Sequence, residues 1–130
     1  MRRQRGQSLV EFGLTVGLLM ILVVATAQVA IFLYYRSALQ LAAQEGAFDA
    51  SLVGRTPADA STTTQQLWTK LVPAGGAVHV AVTSQGNLIV VSAEASAPAL
   101  LPIPVPPFTR MPVKVHATHT VERFRPGSAP

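Results

Sequence analysis

The feature that most constrains this chain is an uncharged run of 24 residues, from Phe12 to Tyr35. An α-helix of that length measures roughly 36 Å at 1.5 Å per residue, and the hydrocarbon core of a bilayer is about 30 Å thick. The run is therefore long enough to cross a membrane with some tilt. Arg2, Arg3 and Arg5 precede it, and basic residues clustered beside a spanning helix mark its cytoplasmic end. The predicted topology is a single span with the amino terminus inside and the carboxyl terminus outside.

Three kinds of apolar segment fit this run: a secretory signal peptide, a plain membrane anchor, and an assembly helix of the pilin type. Ala25-Thr26-Ala27 before Gln28 has the small-x-small form that signal peptidase needs. However, the sequence becomes apolar again at once, so Val29–Tyr35 would form the exposed amino terminus of a secreted protein. Glu11 would also lie just ahead of the apolar stretch, where signal peptides are normally basic.

Glu11 is the only acidic residue near the apolar run. An unpaired carboxylate in lipid costs several kcal/mol, so a glutamate at this position needs a partner or a function. One explanation is local, because Ser8 and Glu11 fit the S-x-x-E capping box at the start of a helix. The helix dipole also favours a negative charge there. This explanation accounts for Glu11 but not for Gly6.

Gly6, Glu11 and Phe12 ahead of a long apolar run resemble the processing region of type IV pilin-like proteins. More closely, they resemble the amino terminus of the TadE-like proteins of tight-adherence pilus systems. The resemblance implies that a prepilin peptidase cuts after Gly6, which makes Gln7 the first mature residue and Glu11 the fifth. The implied processing site is therefore Gly6, Gln7, Glu11 and Phe12. Cleavage frees an α-amino cation at Gln7, and the Glu11 carboxylate can neutralise that group on an adjacent subunit.

The resemblance extends beyond the apolar run. Tyr34-Tyr35-Arg36 and the stretch Ala42–Ala47 resemble the same family, the second through its Ala-Ala-x-Glu-Gly-Ala pattern. A last strand that ends near Val121-Glu122-Arg123 resembles it too. Gln7 and Phe12 depart from the commonest residues at their positions.

The helix is predicted to continue past the membrane. Ser37 to Val53 contains no proline and is rich in Ala, Leu and Gln, which favours one helix over residues 7–53 with its membrane part at 12–35. Residues 1–6 form a leader-like basic segment. Leu41, Phe48 and Leu52 recur at i, i+7 and i+11, and this stripe is predicted to hold the outer domain against the helix.

The outer domain is predicted to occupy residues 54–125 and to begin with a second helix. Thr56 fits its cap, Pro57 its first position, and Asp59 its first turn. Leu67 and Leu71 at i, i+4 are predicted to form its buried face. Trp68 is predicted to be a core residue.

From Ala77 the apolar period changes to two, which predicts strands. Val78, Val80 and Val82 alternate with polar or small residues, and residues 84–87 form a turn before a return strand over residues 88–93. Six of the fifteen residues from Pro98 to Pro112 are proline, which predicts an extended loop. Residues 111–123 form a third strand that pairs with the hairpin, and residues 126–130 form a disordered tail. The fold class is therefore α+β, with a long amino-terminal helix, a second short helix and a small antiparallel sheet of about three strands.

The sequence offers little chemistry. There is no cysteine, and His116 and His119 are three apart in a predicted strand, so they project from opposite faces and do not form a metal site. No nucleophile elbow or glycine-rich phosphate loop is present. Cleavage after Gly6 removes three of the ten basic residues, which leaves seven against six acidic residues, a formal +1 instead of +4. The sequence predicts no enzyme activity, cofactor, small-molecule substrate or nucleic-acid partner.

The sequence therefore predicts a minor pilin or pseudopilin-like subunit in the bacterial inner membrane, which assembles an adhesive pilus by helix bundling. Its expected partners are lipid, other pilin-like subunits, the assembly platform and a prepilin peptidase. The alternatives are a single-pass anchor with a partner-binding outer domain, and a secreted protein cleaved after Ala27. Four small residues would permit close helix packing in the membrane: Gly13, Gly17, Ala25 and Ala27.

Overall fold

The computed structural model describes residues 2–52, 54–100 and 110–121. Two helices precede three strands, in the order α1 (Arg2–Ser51), α2 (Pro57–Leu71), β1 (His79–Gln85), β2 (Leu88–Pro98) and β3 (Arg110–Thr120). The predicted α+β class is confirmed.

Helix α1 is a single element of 50 residues, which corresponds to roughly 75 Å. It begins at Arg2, so Ser8 and Glu11 do not form the capping box expected at a helix start. Both residues lie inside the helix, where the backbone amide of Glu11 is already used by the helical ladder. The described part of the helix ends at Ser51, and the predicted last residue, Val53, lies outside the described residues. Gly54 then has a φ of 83°, a conformation that favours glycine at a helix end.

Helix α2 begins as the sequence predicts. The Asp59 carboxylate accepts hydrogen bonds from the Thr56 backbone amide at 2.6 Å and from the Thr56 hydroxyl at 2.9 Å. The backbone bond first, and then the hydroxyl bond, hold the pKa of Asp59 below its ordinary value, because both favour the charged carboxylate. The helix ends at Leu71, and the Val72 amide bonds to the Trp68 carbonyl at 2.8 Å.

The three strands form one antiparallel sheet in the order β1-β2-β3. Strands β1 and β2 form the predicted hairpin, in which Gln85 pairs with Leu88 around a turn whose Gly86 has a φ of 61°. Strand β3 pairs with β2 along eleven positions, from Leu88 opposite Thr120 to Pro98 opposite Arg110. The predicted pairing of the third strand with the hairpin is confirmed.

The predicted loop from Pro98 to Pro112 is wrong at its two ends. Strand β2 continues past the predicted end at residue 93 and includes Pro98, and Pro112 lies inside β3. The Gln40 side chain donates to the carbonyl of His116 at 3.2 Å, so the backbone groups of His116 point away from β2. The backbone groups of the other even positions of β3 point the same way, to the free edge of the sheet. Pro112 is one of these even positions, and its missing amide therefore costs the sheet no hydrogen bond. Residues 101–109 and the predicted tail lie outside the described residues.

The hydrophobic core lies between the second half of α1, helix α2 and the inner face of the sheet. The α1 residues in it are mostly small: Tyr35, Ala38, Leu39, Ala42, Ala43, Ala47 and Ala50. The sheet contributes Ile89, Val91, Ala93, Ala95, Ala97, Val113, Val115 and Ala117. In β3 the predicted alternation is confirmed, with the odd positions inside and the even positions exposed.

The prediction that Leu41, Phe48 and Leu52 hold the outer domain is wrong. These three side chains are exposed by 44 to 49% and lie outside the core, although the Phe48 ring contacts His119 at the margin of the sheet. The reason is the close approach of α2 to α1. A methyl group added to Gly46 would lie 2.7 Å from the Ala60 carbonyl and would overlap Thr64, so no side chain fits at the point where α2 packs on α1.

The buried face of α2 is displaced by one position from the predicted one. Ala60, Thr64 and Trp68 are buried, whereas Leu67 and Leu71 are partly buried at its margin. Trp68 is 1% exposed, which confirms it as a core residue.

The sheet extends along α1. Gln28 contacts the end of β2, Gln40 contacts His116 in the middle of β3, and the Phe48 ring packs edge-to-face on His119 near its end. Strand β3 therefore runs in the same direction as α1. The sheet has a lower end at the level of Gln28 and an upper end at the level of Phe48.

Candidate functional site

The candidate site is the first half of α1, which carries all of the sequence-predicted site residues. Gly6, Gln7, Glu11 and Phe12 lie on its first exposed turns, and Phe12 is 70% exposed. The Glu11 carbonyl accepts a hydrogen bond from the Thr15 hydroxyl at 2.8 Å. Among the side chains described from residue 6 onward, none forms a hydrogen bond or ion pair with the Glu11 carboxylate. This carboxylate is therefore accessible to a second chain.

The predicted packing residues lie on more than one face. Gly13 and Gly17 are about one turn apart on one face, and a methyl group on either would have no described atom within 4 Å. Ala25 is exposed and Ala27 is partly buried. Eighteen residues make five helical turns, so Gly17 lies on the same side of α1 as the buried Tyr35. A parallel helix packed on this glycine face would meet the outer domain above Gln28.

A second face of α1 is more open, although the Phe48 ring on it contacts His119 of β3. Six apolar residues recur at intervals of 7, 4, 18, 7 and 4, which keeps them on one side of a helix with 3.6 residues per turn. All six are exposed, and we call them the open stripe: Phe12, Leu19, Val23, Leu41, Phe48 and Leu52. The open stripe runs along both halves of α1, on the side away from the core.

The two halves of α1 meet at an aromatic junction that sequence reasoning missed. The Tyr34 hydroxyl donates to the Leu71 carbonyl at 2.8 Å, and the Tyr35 ring packs edge-to-face on Trp68 with 5.7 Å between ring centroids. Trp68 Nε1 donates to the Gly76 carbonyl at 3.1 Å. These contacts fix the end of α2 against α1. The Tyr34-Tyr35 pair at the end of the apolar run was the available signal.

Gln28 is a second residue whose role sequence reasoning missed. Its Nε2 donates to the Pro98 carbonyl at 3.2 Å and lies 3.9 Å from the Met111 sulfur. Its Oε1 accepts a hydrogen bond from the Leu100 amide at 2.6 Å. One amide therefore joins the end of β2 to α1 at a level inside the apolar run. A polar amide within that run was the signal for this contact.

The stretch Ala42–Ala47 has a structural explanation. Four of its six residues are small and buried, and Gln44 and Glu45 are exposed on the other side. Gly46 contacts α2 so closely that no side chain fits. The pattern is that of a helix enclosed on two sides by its own domain.

The outer face of the sheet carries the remaining polar side chains. Ser92 Oγ and His116 Nδ1 are 2.9 Å apart, and Lys114 Nζ lies 3.4 Å from Glu94 Oε2. Both pairs are exposed to solvent. Within residues 2–52, 54–100 and 110–121, no three His, Cys, Asp or Glu residues come together as metal ligands would. These pairs form an open polar surface rather than an enclosed site.

The fold and this helix define a class of protein before any comparison: a domain of α+β type on one long helix. Residues 6–51 form a helix long and apolar enough to cross a membrane, by length and composition, and its most apolar window is not buried by the outer domain. Residues 6–47 match the family model of TadE-like protein. The match covers about a third of the chain, and over those residues the resemblance seen in the sequence is confirmed. Searches of curated proteins and of solved structures found no match.

Proposed function

We propose that this chain is a minor pilin or pseudopilin-like subunit, inserted in the bacterial inner membrane, that serves in assembly of an adhesive pilus. One observation carries the proposal. Within the segment that matches the TadE-like family, the first half of α1 exposes apolar side chains on every side, while one face of its second half is buried by the outer domain. Such an exposed helix has to be covered by lipid or by other helices.

The proposed mechanism is helix bundling through the open stripe. A neighbouring parallel helix can follow this face from Phe12 to Leu41, and above Leu41 it passes the contact of Phe48 with His119 of the outer domain. The same packing brings the Glu11 carboxylate near the amino terminus of the neighbour. If a prepilin peptidase cuts after Gly6, the new α-amino group of Gln7 is the cation that pairs with Glu11.

The proposed orientation places the basic amino terminus in the cytoplasm and the outer domain on the other side of the inner membrane. The partners in this proposal are other pilin-like subunits, the pilus assembly platform and the prepilin peptidase. The lipid bilayer covers the first half of α1 before assembly.

The test that separates the proposed processing from its alternatives is the amino-terminal residue of the protein isolated from cells. Gln7 supports pilin-type cleavage. Met1 supports an uncut single-pass anchor, and Gln28 supports the secreted protein released after Ala27. A chain that begins at Gln28 would overturn the membrane-inserted subunit.

Two substitutions separate cleavage from assembly. We expect Gly6→Ala to block maturation, and Glu11→Ala to leave cleavage intact while pilus assembly falls. Thr15→Ala, one turn from Glu11 and equally exposed, is the matched control and should assemble normally. If Glu11→Ala also assembles normally, the charge pairing with Gln7 is wrong.

Cysteine cross-linking tests the packing face, because the native chain contains no cysteine. We expect Leu41→Cys to form disulfide-linked dimers in oxidised membranes. Leu39→Cys, two residues away but 0% exposed, is the control and should not cross-link. Dimers from Gly13→Cys without dimers from Leu41→Cys would instead place the contact on the glycine face.

A further inference from the structure

The lower end of the outer domain is fixed at a defined level on α1. We call it the basal edge, and it consists of five described residues at the end of β2 and the start of β3: Pro98, Ala99, Leu100, Arg110 and Met111. The Gln28 side chain holds this edge through its bonds to the Pro98 carbonyl and the Leu100 amide. The depth of Gln28 in the membrane therefore sets the depth of the basal edge.

The length of the helix places Gln28 inside the membrane. The rise from Phe12 to Gln28 is about 24 Å at 1.5 Å per residue, and the hydrocarbon core is about 30 Å thick. A core that begins at Phe12, directly after the charged Glu11, therefore ends near Phe32. A tilted helix needs more residues to cross the core, which moves this boundary further along α1. Gln28 is then about 6 Å inside this boundary, so the basal edge that it holds is within reach of lipid.

The side chains of the basal edge suit that depth. Leu100 is 46% exposed. The sequence contains no charged residue from Ala95 to Thr109, whereas the surface of a domain in water is rich in charge. Tyr34 is at the same end, half-exposed, and tyrosine is enriched at membrane interfaces.

Arg55 and Lys114 form ion pairs with Asp49 and Glu94. Three other basic residues lie toward the lower end of the outer domain. Arg110 lies on the basal edge, Lys70 is in the last turn of α2 near Tyr34, and Arg36 follows the apolar run. The acidic residues of the helices are at the upper end, where the two helices join: Glu45, Asp49 and Asp59. Cations close to a bilayer surface are attracted to lipid phosphates, and long basic side chains can extend to reach them.

We propose that the basal edge is a second membrane-contacting surface, which inserts Leu100 at the interface of the leaflet that α1 leaves, while Arg36, Lys70 and Arg110 contact its phosphates. The inference rests on the spanning helix of the proposed function, but not on cleavage at Gly6 or on entry into a filament. The spanning helix and the basal edge are then two attachments to the membrane, and together they fix the orientation of the outer domain. The domain cannot then tilt freely about α1, and the open stripe faces sideways, in the plane of the membrane, where a neighbouring helix can reach it.

Depth-dependent quenching tests this contact in the full chain. Because the native chain has no cysteine, single cysteines can carry a fluorescent probe at Leu100, at Leu19 in the middle of the span, and at Thr118 near the upper end of the sheet. The protein is reconstituted in vesicles of phosphatidylcholine and phosphatidylglycerol that contain spin-labelled lipid. We expect quenching at Leu100 about twofold or more above that at Thr118, strongest with a shallow label, and quenching at Leu19 strongest with a deep label.

Two results would overturn different claims. Quenching at Leu19 without quenching at Leu100 would leave the spanning helix in place and remove the contact of the basal edge. No quenching at Leu19 would remove the spanning helix, and with it the proposed function. Native fluorescence emission of the buried Trp68 confirms the fold of each variant. If Leu100→Cys does not show native emission, a probe at Lys70→Cys reports on the same end of the domain, and its quenching is compared with that at Thr118 in the same way.

Discussion

The two halves of α1 form one continuous helix with different surroundings. Both are rich in apolar and small residues, and they are joined at Tyr34 and Tyr35. Most side chains before this point are exposed, as Phe12 is, although Gln28 already contacts the end of β2, and after it one face is fully buried, as Leu39 is. The difference arises from what lies beside the helix, because α2 and the sheet of its own chain pack mainly on the second half.

This difference shows that small residues have distinct uses in the two halves. Gly46 in the outer half is required by its own domain, because α2 leaves no space for a side chain. Gly13 and Gly17 in the membrane half have open space beside them. Glycine in the first half therefore remains available to partners, whereas glycine in the second half serves the fold.

The largest expected effect comes from the junction between the halves. Trp68→Ala removes a buried indole that packs on Tyr35, and we expect the outer domain to lose about 3–5 kcal/mol of stability. Phe12→Ala is the matched control on the exposed half and should leave the outer domain unchanged. Hydrogen exchange of the β2 amides in detergent or nanodiscs measures both. Equal protection of β2 in the two variants would contradict the division of α1 into two halves.

The corrected buried face gives the second prediction. Leu39→Ala should lower the free energy of unfolding by about 2–5 kcal/mol, because Leu39 is fully buried. Leu41→Ala should change it by less than about 0.5 kcal/mol, because Leu41 lies on the open stripe. Denaturant titration with the emission of Trp68, the single tryptophan, follows the unfolding of both variants. A larger loss of stability for Leu41→Ala than for Leu39→Ala would support the buried face that the periodicity predicted.

A pair of glycine substitutions gives a smaller effect. Gly46→Leu should destabilise the outer domain by about 1–3 kcal/mol, because the new side chain overlaps Ala60 and Thr64 of α2. Gly13→Leu should have no effect on the same unfolding transition. If Gly13→Leu also unfolds the domain, the two halves are coupled more closely than their contacts indicate.

The smallest effect concerns the cap of α2, in the outer domain. The pKa of Asp59 is lower in the folded chain than in the unfolded chain, where it is about 3.9. Its contribution to stability is therefore complete above pH of about 4 and is lost as the pH falls through the folded-state pKa. Asp59→Asn should show a shallower loss of stability between neutral and acidic pH, as measured by the unfolding midpoint. An unchanged slope would mean that the hydrogen bonds from Thr56 do not contribute.

Much of the fold follows from local periodicity. The apolar run predicts a long helix, Thr56 and Pro57 predict the start of α2, and alternation predicts the hairpin and β3, because these signals depend on neighbouring residues alone. The strand ends at Pro98 and Pro112 were missed, because only the pairing within the sheet makes proline acceptable there. Pro112 lies in the edge strand β3, and Pro98 lies at the end of β2, beyond the residues that pair with β1.

The family resemblance, which the comparison supports over residues 6–47, could also be recognised in the sequence. The role of Gln28 could not be recognised in the sequence, since its partners are some 70 residues away along the chain. The same holds for Gly46, whose neighbours belong to α2.

By itself, the sequence determined the helix that is apolar over a membrane's thickness, the change of period to strands, and the α+β class. Only the tertiary structure decided which side of α1 faces the core. Periodicity favoured the large residues Leu41, Phe48 and Leu52, but the close approach of α2 and the sheet selects an alanine-rich face that also buries Tyr35 and Leu39. The physical reason is that hydrophobicity determines which residues can be buried, whereas the space between packed elements determines which of these residues are in fact buried.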